Sequence, residues 1–143
     1  MIHSMERKAN TQSRIALHLM VNQLTIRSLP ETMKNDNIIH NHVPADIRVG
    51  TDAHKLAAVI DCLLKTVVNY TKNTALTVSI KSYSNVILLY VKGNTPFDHP
   101  ELEKKLTGVQ QLAESIGGTV GITSHRNNIS TIALSFINSK AAC

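Results

Sequence analysis

Two of the seven histidines in this chain are spaced so that they could support metal chemistry. His40 and His42 lie two residues apart in a stretch that we expect to be a strand, so their side chains would leave the same face. With His54 or Cys62 as a third ligand they could hold Zn²⁺, which accepts nitrogen and sulfur donors. The spacing gives no complete ligand set, so we interpret both as exposed strand histidines.

Hydrolytic and disulfide chemistry have weaker support. Serine, histidine and aspartate are plentiful, but the chain has no G-x-S-x-G nucleophile elbow, the turn that presents a catalytic serine. Cys62 falls on a predicted helix and Cys143 is the final residue, so a disulfide would have to bring the tail to the core. We therefore expect two reduced thiols in a cytoplasmic protein.

Composition indicates one folded domain. A chain of 143 residues with 43% hydrophobic residues can bury a real core, and we expect a single domain over 1–143 in which residues 1–9 are a flexible or expression-derived start. No apolar run reaches the roughly 20 residues that a membrane span needs, and the N-terminus lacks the apolar middle of a signal peptide. The net charge of +5 comes from scattered lysines and arginines. A mildly basic solvated surface is the favoured interpretation, and attraction to an acidic partner is the alternative.

A strongly apolar helix, predicted at about 53–70, organises the elements that would position any site. Its apolar residues recur at three- and four-residue spacing and form one stripe, which must pack on a sheet or on other helices. Asp52, or Thr51, can cap its first turn. The residues of the stripe are Leu56, Val59, Ile60, Leu63, Leu64, Val67 and Val68.

Two more helices are predicted at about 10–28 and 100–116. Pro30 disfavours helix at the residue before it and so limits the first. Gly117 is expected to cap the second in the left-handed conformation. The apolar positions of the first helix are Ile15, Leu19, Val21, Leu24 and Ile26, and those of the second are Leu102, Leu106, Val109, Leu112, Ala113 and Ile116.

The remaining periodic segments predict strands, most of them in two hairpins. The expected strands are 37–43, 46–49, 75–83, 86–91, 119–124 and 130–137, with turns at Ser84-Asn85 and Asn127-Asn128. The helices suffice to cover only one face of such a sheet, and Leu88, Leu112 and Ile116 are expected to be buried with the central helix between the two layers. The predicted fold is therefore α+β, a two-layer sandwich with a mixed sheet of about five strands.

The central helix and the last hairpin resemble the C-terminal ATP-binding domain of sensor histidine kinases, which has the Bergerat (GHKL) fold. The helix opens at Asp52 and closes on Val68-Asn69-Tyr70-Thr71, where the family has its N box, roughly N-L-L-x-N-A-x-K-Y-T. The Gly117-Gly118 turn and the strand after it resemble the segment that closes the family's domain. The resemblance covers about residues 38–137 and implies the same two-layer fold.

The resemblance also assigns the positions of a nucleotide site. The two asparagines that hold Mg²⁺ and phosphate in the family correspond to Cys62 and Thr66, and its lysine corresponds to Asn69. A thiol is a poor ligand for a hard cation that prefers oxygen. Tyr70 and Thr71 are kept, and we interpret the tyrosine as a packing residue.

The other two nucleotide motifs of the family are also altered. The aspartate that reads adenine corresponds to Gly93, and the glycine two residues later corresponds to Thr95. Asn94 offers a neutral acceptor one residue out of register. The long phosphate-binding lid is missing, and its glycine positions fall near Glu103 and Lys105, so the backbone cradle for phosphate is not expected.

The resemblance therefore implies a degenerate domain that acts in two-component-type signal transduction through protein contact, with ATP binding lost or very weak. Its partner would be a response regulator or a sensor kinase, and no cofactor, catalytic residue, metal site or membrane contact is expected. The positions of the degenerate nucleotide site are Thr66, Asn69, Tyr70, Gly93 and Asn94.

Two alternatives stay open. One is a divergent histidine kinase or histidine phosphotransferase that still binds ATP and Mg²⁺, with His18 as an imaginable phosphoacceptor. The family's phosphoacceptor is followed by an acidic residue, whereas Leu19 follows here, so a helix-face histidine is favoured. The other is a basic nucleic-acid-binding module, ranked last because we find basic and aromatic residues not interleaved on any predicted strand.

Overall fold

The computed structural model describes residues 15–97, 100–124 and 130–138. Four α-helices are present in these ranges: α1 (Leu17–Arg27), α2 (Leu29–Lys34), α3 (Ala53–Asn69) and α4 (Leu102–Ala113), the last extended by a 3₁₀ turn over Glu114–Ile116. The strands are β1 (Ile15–Ala16), β2 (Ile38–Asn41), β3 (Arg48–Val49), β4 (Ala75–Tyr83), β5 (Val86–Gly93), β6 (Thr119–Ser124) and β7 (Ser130–Ile137).

The main sheet has five strands in the order β2-β4-β5-β7-β6. β2 runs parallel to β4, and every other neighbouring pair is antiparallel. The helices cover one face of this sheet, which confirms the predicted α+β two-layer sandwich. β1 and β3 form a separate antiparallel pair that the sequence did not predict. The described helices include none with both the length and the apolar content required to cross a membrane.

Helix α3 lies at the centre of the core. Every residue of its predicted apolar stripe is completely buried. Asp52 caps the helix as predicted, because its carboxylate accepts hydrogen bonds from the backbone N–H groups of His54 (3.0 Å) and Lys55 (3.2 Å). The sheet residues of the same buried cluster are Leu76, Val78, Ile87, Leu89, Val91, Ile132, Leu134 and Phe136.

The end of α3 is held to the sheet by the buried side chain of Asn37. Its amide nitrogen donates to the carbonyl oxygens of Val68 and Thr71, both at 3.1 Å. Its amide oxygen accepts from the backbone N–H of Thr74 at 2.9 Å, just before β4 begins. One side chain therefore satisfies groups that the helix end and the strand start would otherwise leave unpaired.

No described helix covers the opposite side of the sheet, which we call the open face. It is formed by the alternate strand residues that point away from α3 and α4, as the strand registers define them. Residues of the open face include Ile38, His40, Thr77, Ser79, Lys81, Tyr83, Val86, Leu88, Tyr90, Lys92, Thr131, Ala133, Ser135 and Ile137, together with Thr119, Gly121 and Thr123 of β6.

The prediction for the first helix was partly wrong. Ile15 and Ala16 pair with β3 instead of being helical, so α1 begins only at Leu17, and residues 10–14 lie outside the described part of the chain. Leu19 and Ile26 are 60% and 68% exposed. The cause is that the core is contacted by another side of the helix, formed by Leu17, Met20, Val21 and Leu24.

Pro30 has the opposite role to the predicted one. It lies in the first turn of α2, where its missing N–H needs no partner, so Leu29 is helical. Gly117 does cap the end of α4 with a φ of 67°, as predicted. The turn predicted at Asn127-Asn128, the start over 1–9 and the thiol of Cys143 fall outside the described residues.

Two residues predicted in the core are not there. Leu112 is 40% exposed, because α4 buries Leu102, Leu106, Val109 and Ala113 instead. Leu88 lies on the open face, since the alternation of β5 places Ile87, Leu89 and Val91 on the side of the helices. The last core residue predicted in this region, Ile116, is half-buried and packs against the core.

The packing predicts that replacing Leu63 by alanine lowers the free energy of unfolding by about 2–5 kcal/mol, because the lost transfer free energy and the new cavity add. Leu63 is completely buried on α3. Urea denaturation would measure the change. Leu112→Ala is the matched control and should change stability by about 0.5 kcal/mol or less. Equal losses in the two variants would show that α3 does not form the core described.

Candidate functional site

A groove of about 550 Å³ opens at the C-terminal end of α3. It brings together Asn69 and Tyr70, predicted from the N box, with Thr95 from the segment after β5. Thr66 and Cys62 lie one and two turns earlier on α3, are half-buried, and do not line the groove. Its lining residues are Asn69, Tyr70, Thr71, Lys72, Thr74, Thr95, Pro96 and Pro100.

Gly93, the position of the adenine-reading aspartate, is packed against an aromatic ring. A Cβ atom at this position would lie 2.5 Å from Cε1 and 2.9 Å from Cζ of Phe97, and 3.2 Å from Cγ2 of Thr74. Phe97 is buried, and its backbone N–H donates to Oγ of Ser130 at 2.8 Å. A carboxylate could therefore occupy position 93 only if the Phe97 ring moved.

The polar side chains next to Gly93 bond within the chain. The amide oxygen of Asn94 accepts from the backbone N–H of Ala75 at 2.9 Å. The Thr74 hydroxyl donates to the carbonyl of Lys72, so Thr95 must donate in the 2.8 Å hydrogen bond between the Thr95 and Thr74 hydroxyls. Asn94 and Thr95 thus complete the end of β5 and the start of β4.

The N-box region of α3 offers few oxygen ligands toward solvent. Cys62 is a free, half-buried thiol, and Thr66 is half-buried. Asp61 forms an ion pair with Lys65 one turn later at 3.4 Å, and its other carboxylate oxygen is buried without a hydrogen-bond partner. Thr71 donates to the carbonyl of Val67, so the kept threonine closes the helix end.

His18 is engaged through both ring nitrogens. Nδ1 lies 2.7 Å from the carbonyl oxygen of Val43, and Nε2 lies 3.3 Å from the amide nitrogen of Asn22. A carbonyl can only accept, so we assign the proton to Nδ1 and the acceptor role to Nε2. The amide oxygen of Asn22 in turn accepts from Asn41 at 2.7 Å. His18 therefore serves to join α1 to β2 and the segment after it.

His40 and His42 are exposed at the edge of the sheet, with ring centroids 6.2 Å apart. The zinc alternative requires a third ligand beside them. Across residues 15–97, 100–124 and 130–138, no group of three His, Cys, Asp or Glu side chains is placed to hold a metal ion.

The contact that sequence analysis missed is the one between Phe97 and Gly93. The residues are only four apart, but the ring reaches back over the strand end because the chain turns at Asn94-Thr95-Pro96. A bulky residue close behind a glycine at the adenine-reading position was the available signal. The other residues near Gly93 in the sequence gave no indication that the Phe97 ring packs against it.

Solved structures of histidine kinases share this fold. The histidine kinase AdeS of Acinetobacter baumannii matches with a TM-score of 0.74 and 13% identity, over 89% of this chain and 67% of that chain. A nucleotide-free catalytic domain of histidine kinase ThkA matches with a TM-score of 0.71 and 12% identity, over 87% and 94%. ThkA in complex with the response regulator protein TrrA matches with a TM-score of 0.68 and 14% identity, over 91% and 42%.

No family model and no curated protein matches the amino-acid sequence. At 12–14% identity, the structural matches establish the fold and leave the chemistry to the residues of this chain. The chain therefore has the two-layer α+β fold of the histidine kinase catalytic domain.

The Gly93–Phe97 contact predicts that Gly93→Ala lowers the free energy of unfolding by about 1–3 kcal/mol, through overpacking against the ring. Phe97→Leu shortens the side chain, so the alanine should cost less in that background. A double-mutant cycle by urea denaturation measures this coupling. Gly121→Ala is the control, since nothing lies within 4 Å of the added Cβ. Additive effects at positions 93 and 97 would rule out the contact.

Proposed function

We propose that this chain is a degenerate histidine kinase ATPase-like domain, in which ATP binding is lost or very weak. It acts in two-component-type signal transduction through contact with another protein. The observation that carries the proposal is the packing of Phe97 against Gly93, because the adenine-reading position is filled from inside the protein.

The phosphate and metal end of the site supports the same proposal. Cys62 and Thr66 replace two amide oxygens, and Mg²⁺ requires oxygen ligands in octahedral geometry. The first turn of α4 lies where a phosphate-binding helix would begin, and it carries the exposed carboxylates Glu101 and Glu103. Negative side chains at that position disfavour a triphosphate.

Nucleotide affinity can be bounded from these losses. Each missing hydrogen bond to a charged partner costs about 1.5–3 kcal/mol, and a micromolar site corresponds to about 8.2 kcal/mol. Removal of three such contacts leaves at most about 4 kcal/mol, which corresponds to a dissociation constant of about 1 mM or weaker.

The surface for a protein partner is proposed on α1 and α2. Four large apolar side chains are exposed there, and a groove of about 450 Å³ runs between α1 and α3 with Arg27 and His54 among its lining residues. Apolar contacts beside the Arg27 cation suit a partner with an apolar ridge and acidic groups. The four exposed side chains are Leu19, Ile26, Leu29 and Met33.

A response regulator is the proposed partner. ThkA, which shares the fold, is described in complex with the response regulator protein TrrA. The net charge of +5 favours association with an acidic face on the response-regulator domain. Only the class of partner, a response regulator, is taken from ThkA.

Calorimetric titration with ATP and Mg²⁺ should give no heat of binding at micromolar nucleotide. The purified protein should also show no autophosphorylation. The variant with Cys62→Asn and Thr66→Asn should behave in the same way, because the adenine position and the lid would still be altered. The groove of about 550 Å³ favours the alternative of a divergent kinase. A dissociation constant in the micromolar range would establish that alternative and overturn the proposal.

Binding to purified receiver domains of response regulators from the source organism, measured by biolayer interferometry, should identify at least one partner. The double variant Leu19→Glu and Ile26→Glu should weaken this binding at least about tenfold, because it places charges on an apolar contact. Leu112→Glu is the matched control, since Leu112 is an exposed leucine on another helix. Unchanged binding of the double variant, or no binding by any receiver domain, would contradict the proposed contact.

A further inference from the structure

We propose that the open face of the sheet binds single-stranded nucleic acid. This is a function beyond the protein contact proposed for the helices, and it lies on the other side of the molecule. It rests on the charge and the aromatic side chains of that face, which no described helix covers.

The charge of the open face has one sign. None of the five strands of the main sheet contains aspartate or glutamate. Lys81 on β4 and Lys92 on β5 are both exposed. A face that carries cations and no carboxylates complements a polyanion.

Each lysine stands beside a tyrosine on the same face. Lys92 Nζ lies 5.9 Å from the ring centroid of Tyr90, two residues before it on β5. Lys81 and Tyr83 have the same two-residue spacing on β4, and the Tyr83 side chain is 54% exposed. An aromatic ring next to a cation can stack on a base and contact the adjacent phosphate.

The two tyrosines form separate stacking positions. Tyr83 pairs with Val86, whereas Tyr90 pairs with Ser79, so the rings are four residues apart along neighbouring strands. At about 3.3 Å per residue and about 4.8 Å between strands, their Cα atoms are roughly 14 Å apart. A strand of nucleic acid that uses both positions would therefore run roughly along β4 and β5, with other nucleotides between the two tyrosines.

Hydroxyl groups occupy the positions on β4 opposite Tyr90 and Lys92. Ser79 pairs with Tyr90, and Thr77 pairs with Lys92. Both are half-buried on the open face, where a hydroxyl can donate to a phosphate oxygen. The statement that basic and aromatic residues are not interleaved on any strand was wrong, because they alternate on β4 (Lys81 and Tyr83) and on β5 (Tyr90 and Lys92).

A single strand fits this face better than a duplex or an acidic protein. Stacking on tyrosine requires unpaired bases, which a duplex does not offer. An acidic protein would use the lysines but has no need of two separated rings, each beside a cation. The effect of the tyrosine rings on binding affinity therefore distinguishes a single-stranded nucleic acid from an acidic protein.

Fluorescence anisotropy with labelled oligo-uridine and oligo-thymidine of about 12 nucleotides would test the proposal at about 50 mM salt. The expected result is binding that weakens with salt, with a slope of log K against log salt of about −1.4 for two phosphate contacts. Tyr83→Ala and Tyr90→Ala should each weaken binding by about 5- to 150-fold. Tyr→Phe at either position should retain it.

The matched charge control is on the helical layer. The double variant Lys81→Glu and Lys92→Glu should abolish binding. The double variant Lys104→Glu and Lys105→Glu changes the net charge equally at exposed residues of α4, and it should retain most of the binding. Circular dichroism and urea denaturation of each variant establish that it is folded. Binding by the tyrosine variants at full affinity, tighter binding of a duplex or of polyglutamate, or no binding at low salt would overturn the proposal.

Discussion

The structure depends on the burial of one stripe of side chains on α3. All seven apolar residues of the stripe are completely buried. Complete burial of a valine, leucine or isoleucine side chain is worth about 1.5–3 kcal/mol relative to its exposed state. This interaction fixes how the helix lies on the sheet. It places no requirement on the residues between the stripe positions, and those are the residues that would hold metal and phosphate. The fold can therefore persist while the chemistry of the site changes.

The end of α3 is determined by polar contacts that also limit the site. Asn37 binds the last carbonyl groups of the helix and the first N–H before β4. Asn94 and Thr95 bind the start of the same strand from the other side. Phe97 then packs against Gly93, where a nucleotide-binding relative would need a carboxylate. The hydrogen bonds of Asn37, Asn94 and Thr95 and the aromatic contact of Phe97 thus close this end of the sheet.

The sequence predicted those parts of the fold whose signals are local. The bounds of β4, β6 and β7 agree with the structure, because strict alternation is bounded by turn residues at both ends. The prediction of the buried face of α1 was wrong because the segment has apolar residues on two sides. Only tertiary contacts select Leu17 and Met20 for burial over Leu19 and Ile26. The β1–β3 pair joins residues far apart in the chain, and no local pattern encodes it. At the site, the sequence alone showed that residues 62, 66, 93 and 95 differ from the family's motifs. The packing of Phe97 against Gly93 could not be predicted, because it depends on a turn that brings the ring back over the strand end.

A nuclear magnetic resonance titration of isotopically labelled protein with ATP and Mg²⁺ tests the central claim at the residues concerned. The backbone amides of Tyr70, Gly93 and Thr95 belong to the proposed degenerate nucleotide site, and Tyr70 and Thr95 line the groove at the end of α3. The account predicts no saturable change in their chemical shifts at nucleotide concentrations up to about 1 mM, the affinity limit set by the lost contacts. Saturable shifts confined to these amides at micromolar nucleotide would contradict it and show that the site still binds ATP.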